Sequence, residues 1–195
     1  MLERRSPLTG YALPVSSGPT GEAPGIRLSE QPLGGLVQVS GWSDSFEVAV
    51  MPALDRLGFS GAGDFRNMQT ANEAQVMRVA PNRLLLRHAN PLALADVVSC
   101  LDVSRALTLD LSSARNVIRI EGLHAVQVMV RLSSVDFGFE AFPVTGFAQT
   151  GIHHVGVLIQ RIGRTRFDIL VPTTWALSVW EMARETATPF CHDVV

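Results

Sequence analysis

The sequence predicts an α+β protein of two lobes, each a split β-α-β unit (β-α-β-β-α) with an antiparallel-rich sheet. Three observations predict it. Segments of period-two apolar alternation are separated by segments of helical period. The strand-like segments come in pairs joined by tight-turn residues, as antiparallel neighbours do. The order of elements also runs nearly twice along the chain, although the residues themselves do not repeat.

Residues 1–25 carry Pro7, Pro14, Pro19 and Pro24 among glycines and serines. Such a stretch buries too little apolar area to order itself, so it is expected to be a flexible tail. The first lobe is placed at 26–112. In it GLVQVSGW, with Leu36, Val37, Val39 and Trp42 around polar residues, reads as a strand. Ser43 and Asp44 are suitable N-caps for a helix bearing Phe46, Val50, Met51, Leu54 and Leu57, closed by Gly58. Pro52 lies inside that helix and is expected to kink or divide it. Beyond the glycine-rich loop GFSGAGDF, strands at Gln75–Val79 and Arg83–His88 are joined by Pro81-Asn82. Pro91 opens a helix to Leu101 with Leu92, Leu94, Ala95, Val98 and Leu101 as its apolar positions. Ala106–Leu111 alternates as a strand.

The second lobe is placed at 113–195. Arg115–Glu121 is a strand, and Gly122 turns the chain into a helix over LHAVQVMVRL with Leu123, Val126, Met129 and Val130 inward. After a loop holding Phe137, Phe139, Phe142 and Pro143, the segment HHVGVLIQRI reads as a strand. It pairs with RFDILV through Gly163-Arg164. A helix over Pro172–Ala187 carries Trp175, Val179, Trp180 and Ala183. No closing strand is expected.

Composition narrows the function. Of 195 residues 47% are apolar and 17% charged, against roughly 25% charged in ordinary soluble domains. Such a chain has a large core or keeps surface for a partner. A net charge of −2 leaves no footprint for nucleic acid or an anionic membrane. There is no lysine, which excludes Schiff-base and P-loop lysine chemistry. Cys100 and Cys191 form no CxxC pair and no disulfide framework, as in a cytosolic protein. Neither a signal-peptide run nor an apolar stretch of about 20 residues occurs, so a soluble, cytoplasmic chain is expected.

Motifs of catalysis are missing. Gly58, Gly61 and Gly63 follow a helix at the wrong spacing for a dinucleotide fingerprint. No nucleophile elbow or Walker sequence is present, which leaves Ser60, Ser112 and Ser113 without an activating local feature. Cys100 falls on an apolar helix side, where a thiol behaves as a small hydrophobe. Asp102, Asp110, Asp136 and Asp168 fall at strand ends and in loops, ordinary places for Asp. His153 and His154, read as strand neighbours, point to opposite faces and cannot converge on a metal; His88, His124 and His192 stand alone. No catalytic, cofactor-binding or metal-binding residue is therefore assigned. The candidate interface residues are Trp175, Trp180, His153 and His154. The two tryptophans stand about 140° apart on a helix, which sends one inward and leaves the other for the surface.

Four segments in order carry a resemblance: MRVAPNRLLLRH, LTLDLSSARNVIRIEGLHAVQVMVRLSSVDF, FPVTGFAQTGIHHVGVLIQR and FDILVPTTWALSVWEMA. Their carriers are Pro81 to Leu86, Asp110–Ser112 with Arg115, Glu121–Gly122 with Ala125, and Asp136–Phe137 with Phe142–Pro143. Val171 to Trp180 and the Ser6–Leu8 segment complete the set. The chain resembles the gamma subunits of heterotetrameric sarcosine oxidase, within the wider aminomethyltransferase-like, folate-binding superfamily. The resemblance covers 75–187 well and the first third loosely. It implies an aminomethyltransferase-like fold and a cytoplasmic complex with alpha, beta and delta subunits. That complex oxidatively demethylates sarcosine with oxygen, yielding glycine, hydrogen peroxide and formaldehyde or methylene-tetrahydrofolate. FAD, FMN, NAD, tetrahydrofolate and zinc are expected in the other subunits, with no cofactor or catalytic residue in this one. Two alternatives stay open: a gamma-type subunit of a related enzyme such as N-methylglutamate dehydrogenase, and a stand-alone folate-binding, aminomethyltransferase-like protein. A weaker third is zinc bound through His153 or His154.

Overall fold

The computed structural model describes residues 6–11, 15–16, 25–42, 45–190 and 192–194, with 15–16 and 192–194 described as backbone. The chain divides into two units, Leu33–Ser113, and the residues up to Pro32 together with Ala114–Val195. Strands β1 (Val15–Ser16) and β2 (Ile26–Gln31) precede the Leu33–Ser113 unit in sequence and belong to the other one.

The Leu33–Ser113 unit runs β3 (Gly35–Gly41), α1 (Phe46–Leu57), β4 (Gln69–Ala71), β5 (Ala74–Ala80), β6 (Arg83–His88), α2 (Pro91–Val98) and β7 (Ala106–Asp110). Its sheet has the order β4-β5-β6-β3-β7, antiparallel throughout. Val37, Val39, Val76, Leu84 and Leu86 alternate onto one face, where Phe46, Val50 and Leu54 of α1 and Leu94 and Val97 of α2 cover them. Asn90 caps α2, its side chain accepting from the Leu92 amide, and Pro91 occupies the first turn, where a missing N–H costs nothing.

The other unit continues with β8 (Arg115–Glu121), α3 (Ala125–Leu132), β9 (Phe147–Ile152), β10 (Val155–Gly163), β11 (Arg166–Pro172), α4 (Ala176–Ala187) and β12 (His192–Val194). Its sheet order is β1-β12-β2-β8-β11-β10-β9. Ile118, Ile120, Phe167, Ile169 and Val171 meet Val128, Met129, Val179 and Trp180 of α3 and α4 in its core. On the opposite face, Arg119 of β8 donates from Nε and Nη2 to both carboxylate oxygens of its cross-strand neighbour Asp168, at 2.7 and 3.0 Å. Asp168 is buried, so this two-pronged pair sets the β8–β11 register from within the sheet.

The expected two-lobe α+β architecture with antiparallel-rich sheets is what the chain adopts, and its repeat is fuller than the pattern implied. Each unit reads β-α-β-β-β-α-β, and the order 4-5-6-3-7 corresponds to 9-10-11-8-12, with β2 inserted between β8 and β12. Three strands absent from the sequence reading account for the difference. β4 hides beside the glycine-rich loop because its turn to β5 is Asn72-Glu73, both at positive φ, rather than a glycine pair. β9 is an edge strand whose Gln149, Thr150 and Gly151 dilute its apolar alternation. β12 supplies the closing strand that was not expected.

The boundaries differ as well. Residues 26–32 were assigned to the first lobe, yet β2 pairs with β8 and belongs to the second. Within the expected tail, residues 6–11 are docked. Leu8 lies fully in the core, Ser6 Oγ donates to the Glu30 carboxylate at 2.6 Å, and Asn116 Nδ2 donates to the same carboxylate at 2.7 Å. A proline-rich segment cannot order itself, but one leucine in a preformed core is enough to tether it. Pro52 does not divide α1. It faces solvent, where water can serve the carbonyl of exposed Val48 that its missing N–H abandons. Ser43 and Asp44 lie outside the described residues; the N-cap is Ser45, and Gly58 closes the helix in the left-handed conformation. In α2 the buried positions are Leu94 and Val97, whereas Leu92 is exposed.

Arg161 of β10 ties the long α3–β9 connection to the sheet. It is 2% exposed. Nη1 donates to the carbonyls of Phe137 and Phe142 at 3.1 and 2.7 Å, and Nε donates to that of Arg164 at 3.2 Å. The rings of Phe139 and Phe167 stand 5.1 and 5.0 Å from its guanidinium carbon. Burial, and then the charge of Arg164, hold its pKa below the usual arginine value. Arg161→Met is expected to lower unfolding free energy by about 3 kcal/mol, because it strands buried carbonyls without donors. Urea unfolding checks this, and an unchanged midpoint would show that Arg161 does not anchor the loop.

Candidate interaction surfaces

Chemistry in this fold would need reactive side chains brought together. Among the described residues no group of three His, Cys, Asp or Glu is placed to hold a metal. Cys100 is half-buried, and its thiol donates to the Val97 carbonyl at 2.7 Å. Asp102 and Asp110 accept from Ser104 and Ser112, and those bonds, led by the side-chain hydroxyls, hold both carboxyls below their ordinary pKa. Both are turn residues: Asp110 binds Ser112, whose hydroxyl in turn accepts from the Leu36 amide. Asp168 is engaged by Arg119. Cys191 lies outside the described residues.

His153 and His154 are not strand neighbours. They are the two central residues of the β9–β10 hairpin, between the paired Ile152 and Val155. The opposite-faces argument therefore fails: both imidazoles are exposed at the tip, with ring centroids 5.1 Å apart. His153, the first central residue of this two-residue turn, has φ 56, a left-handed conformation that favours glycine. The tip supplies two imidazoles, fewer than the donor set of a structural zinc site, so the residues present do not fit one.

Trp180 and Trp175 divide as their spacing implies. Trp180 is 1% exposed within the core, and it presents no surface. Trp175 ends the 3₁₀ turn ahead of α4 and is 52% exposed. A lone half-exposed tryptophan above a rigid helix start is the kind of side chain that anchors protein contacts.

A second exposed apolar surface lies at α3. Of Leu123, Val126, Met129 and Val130, expected to face the core, Met129 is buried and Val126 packs against the core half-buried, whereas Val130 and Leu123, which precedes α3, are exposed. The helix buries Ala125, Val128, Met129 and Leu132. Leu123 is 79% and Val130 51% exposed, with Val126 half-buried between them. Six of the eight residues of α3 are apolar, so the helix carries two stripes. In the sequence Leu123, Val126 and Val130 share the i, i+3, i+7 spacing of Ala125, Val128 and Leu132, and periodicity cannot rank the two sets. Packing does: Gly122, at φ 132, turns the chain so that the Ala125 stripe meets the sheet. An added Cβ there would sit 2.4 Å from the Gly25 carbonyl oxygen, so this close approach needs glycine.

The Leu33–Ser113 unit has a surface of its own. β7 is the edge of its sheet, and Leu107 and Leu109, two residues apart, project from the same face and are exposed. Trp42, just beyond β3 rather than within it, is also exposed, as is Val103. An edge strand carrying exposed leucines invites pairing unless a partner covers it. No helix among the described residues is long and apolar enough to cross a membrane.

No protein-family model matches the sequence, and no curated protein matches it. Solved structures do match its fold. A chain of the heterotetrameric sarcosine oxidase from Corynebacterium sp. U-96, in complex with pyrrole 2-carboxylate, superposes with a TM-score of 0.83 at 21% identity, over 96% of each chain. The glycine cleavage system aminomethyltransferase T from Bartonella henselae matches with a TM-score of 0.54 at 15% identity, over 82% of this chain and 45% of that one. The fold is thus α+β with aminomethyltransferase-like neighbours, as expected.

The His153 backbone yields a direct check on the hairpin. His153→Gly is expected to raise unfolding free energy by up to about 1 kcal/mol by relieving the positive φ. A loss of stability in thermal unfolding would contradict the turn assigned here.

Proposed function

We propose that this chain is a non-catalytic assembly subunit of gamma type in a heterotetrameric flavoenzyme that oxidatively demethylates sarcosine. The observation that carries the proposal is the exposed apolar pair of Leu123, just ahead of α3, and Val130 on it, on a chain whose fold parallels a sarcosine oxidase chain over nearly its whole length. The exposed edge β7 with Leu107 and Leu109 in one unit, and Trp175 in the other, are further apolar surfaces of the kind that partners cover. Obligate interfaces resemble a core cut in half, and these side chains have that character.

In this reading alpha, beta and delta subunits carry FAD, FMN, NAD, tetrahydrofolate and zinc, and this chain holds their bearing surfaces in place. The complex works in the cytoplasm. The arrangement of aspartates in ordinary turns and of histidines at an exposed hairpin tip supports an assembly role over a catalytic one. A gamma-type subunit of an N-methylglutamate dehydrogenase would use the same surfaces, because substrate choice would rest with the flavin-bearing partner.

Val130→Glu tests the role of the stripe. The residue is exposed, so stability of the chain is expected to change by less than about 0.5 kcal/mol. Recovery of co-expressed flavin-bearing partner on the tagged chain is expected to fall by about tenfold or more, because the new carboxylate would be buried unpaired. Full recovery of the partner would exclude α3 as a docking surface. A chain that binds tetrahydrofolate on its own in calorimetry would favour the stand-alone alternative.

A further inference from the structure

At the end of the seven-stranded sheet, beside the β10–β11 hairpin, lies an open depression of about 510 Å³, lined by Arg27, Glu121, Gly122, Gly163, Arg164 and Arg166 with their neighbour Thr165. Its construction follows from register. Arg27 of β2 and Arg166 of β11 both stand opposite Glu121 of β8, and Arg166 stands opposite Gly163 of β10. Ile26, Leu28, Ile120 and Phe167 point into the core, so alternation sends Arg27, Glu121 and Arg166 together to the other face. Arg164 joins them from the hairpin turn.

The charges do not balance. Among the described residues that line the depression, one carboxylate faces three guanidiniums. Glu121 accepts from Arg166 Nε at 2.8 Å and lies 4.0 Å from Arg27, a distance that leaves Arg27 weakly engaged. The next row inward adds Arg119, whose charge Asp168 already matches. Arg164 lies close enough to buried Arg161 for its charge, after burial, to lower that residue's pKa, and its guanidinium carbon stands 5.8 Å from the Phe139 ring. This excess sits on a chain whose net charge is −2. Gly122 and Gly163 contribute backbone to the lining of the depression.

We propose that this depression is an oxyanion-binding site that takes a carboxylate or phosphate group on the guanidiniums of Arg27 and Arg164, with Arg166 held in place by Glu121. Guanidinium presents paired donors in the planar fork that carboxylate and phosphate accept, and none of the three positions is a lysine. Arg27 and Arg166 are half-exposed, so a ligand reaches them without displacing packed side chains. Glu121 acts as an internal competitor that keeps the site from holding every passing anion. The inference goes beyond the assembly role and stands or falls without it, since its readouts come from the full chain alone.

The test is an amide chemical-shift titration of the full chain at constant ionic strength, with inorganic phosphate, citrate and an aspartate-rich octapeptide as separate probes. Saturable shifts at the Gly122, Gly163 and Thr165 amides are expected with at least one probe, and none with chloride. Binding is expected to weaken by about tenfold in Arg27→Gln and in Arg164→Gln, both surface changes whose folding the amide spectrum itself verifies. Glu121→Gln is expected to tighten it severalfold, and Arg56→Gln, on α1, to leave it unchanged. Tighter binding of phosphate or citrate than of the peptide identifies a free anion as the source; the reverse identifies a partner's carboxylates. Shifts that chloride reproduces, that do not saturate, or that survive both Arg27→Gln and Arg164→Gln would overturn the proposal.

Discussion

A buried arginine with carbonyl partners organises the part of this molecule that differs most from a plain sheet with two helices. The connection from α3 to β9 is 14 residues long, 133–146, and contains no helix or strand. Loops of that length in compact units are usually mobile or functional. This one is tied down from its middle, because Arg161 gathers the carbonyls of Phe137 and Phe142. Phe137 stacks edge-on against both Phe142 and Phe167, with ring centroids 5.3 and 5.5 Å apart. The guanidinium satisfies the backbone that those rings drag into the core. Lysine could supply the charge but not the fork. The energetic logic is that of a polar network which must be complete, since a half-satisfied one costs more than none.

The same economy of partners explains why the surface is the informative part of the chain. Carboxylates that might have done chemistry are engaged in turns or in the Arg119–Asp168 pair. Apolar residues that might have filled a larger core stand outside instead, on α3 and on the edge strand β7. Low charge content in the sequence has its structural counterpart there. A subunit that contributes shape to an assembly needs this distribution, whereas a free-standing enzyme of the same fold would place its polar residues around a cavity.

Much of the fold was legible from the residues because local signals agreed with tertiary packing. β8, α1, β6 and β11 declare themselves by alternation, by Gly58 and by tight turns, and the structure keeps them. What could not be read has three physical causes. Two stripes of equal spacing on α3 leave its inward face to be chosen by Gly122 and the sheet. The two-residue turn on His153 and His154 carries no glycine at its positive-φ position, so the hairpin that ends β9 had no signal. And β2 leaves its neighbours in sequence to insert between β8 and β12, a non-local pairing that periodicity cannot report. The site fared similarly. Trp175 and Trp180 were separable by their helical spacing, while the convergence of Arg27, Glu121 and Arg166 exists only in cross-strand register.

The central claim is that this polypeptide works by being bound, with reactive groups held elsewhere. Native mass spectrometry of the tagged full chain, purified from its own cells, tests that claim most directly. The account requires a stoichiometric assembly well above the chain's own 21.1 kDa, containing a flavin-bearing partner. A free 21.1 kDa chain that itself retains flavin, folate or metal would contradict it.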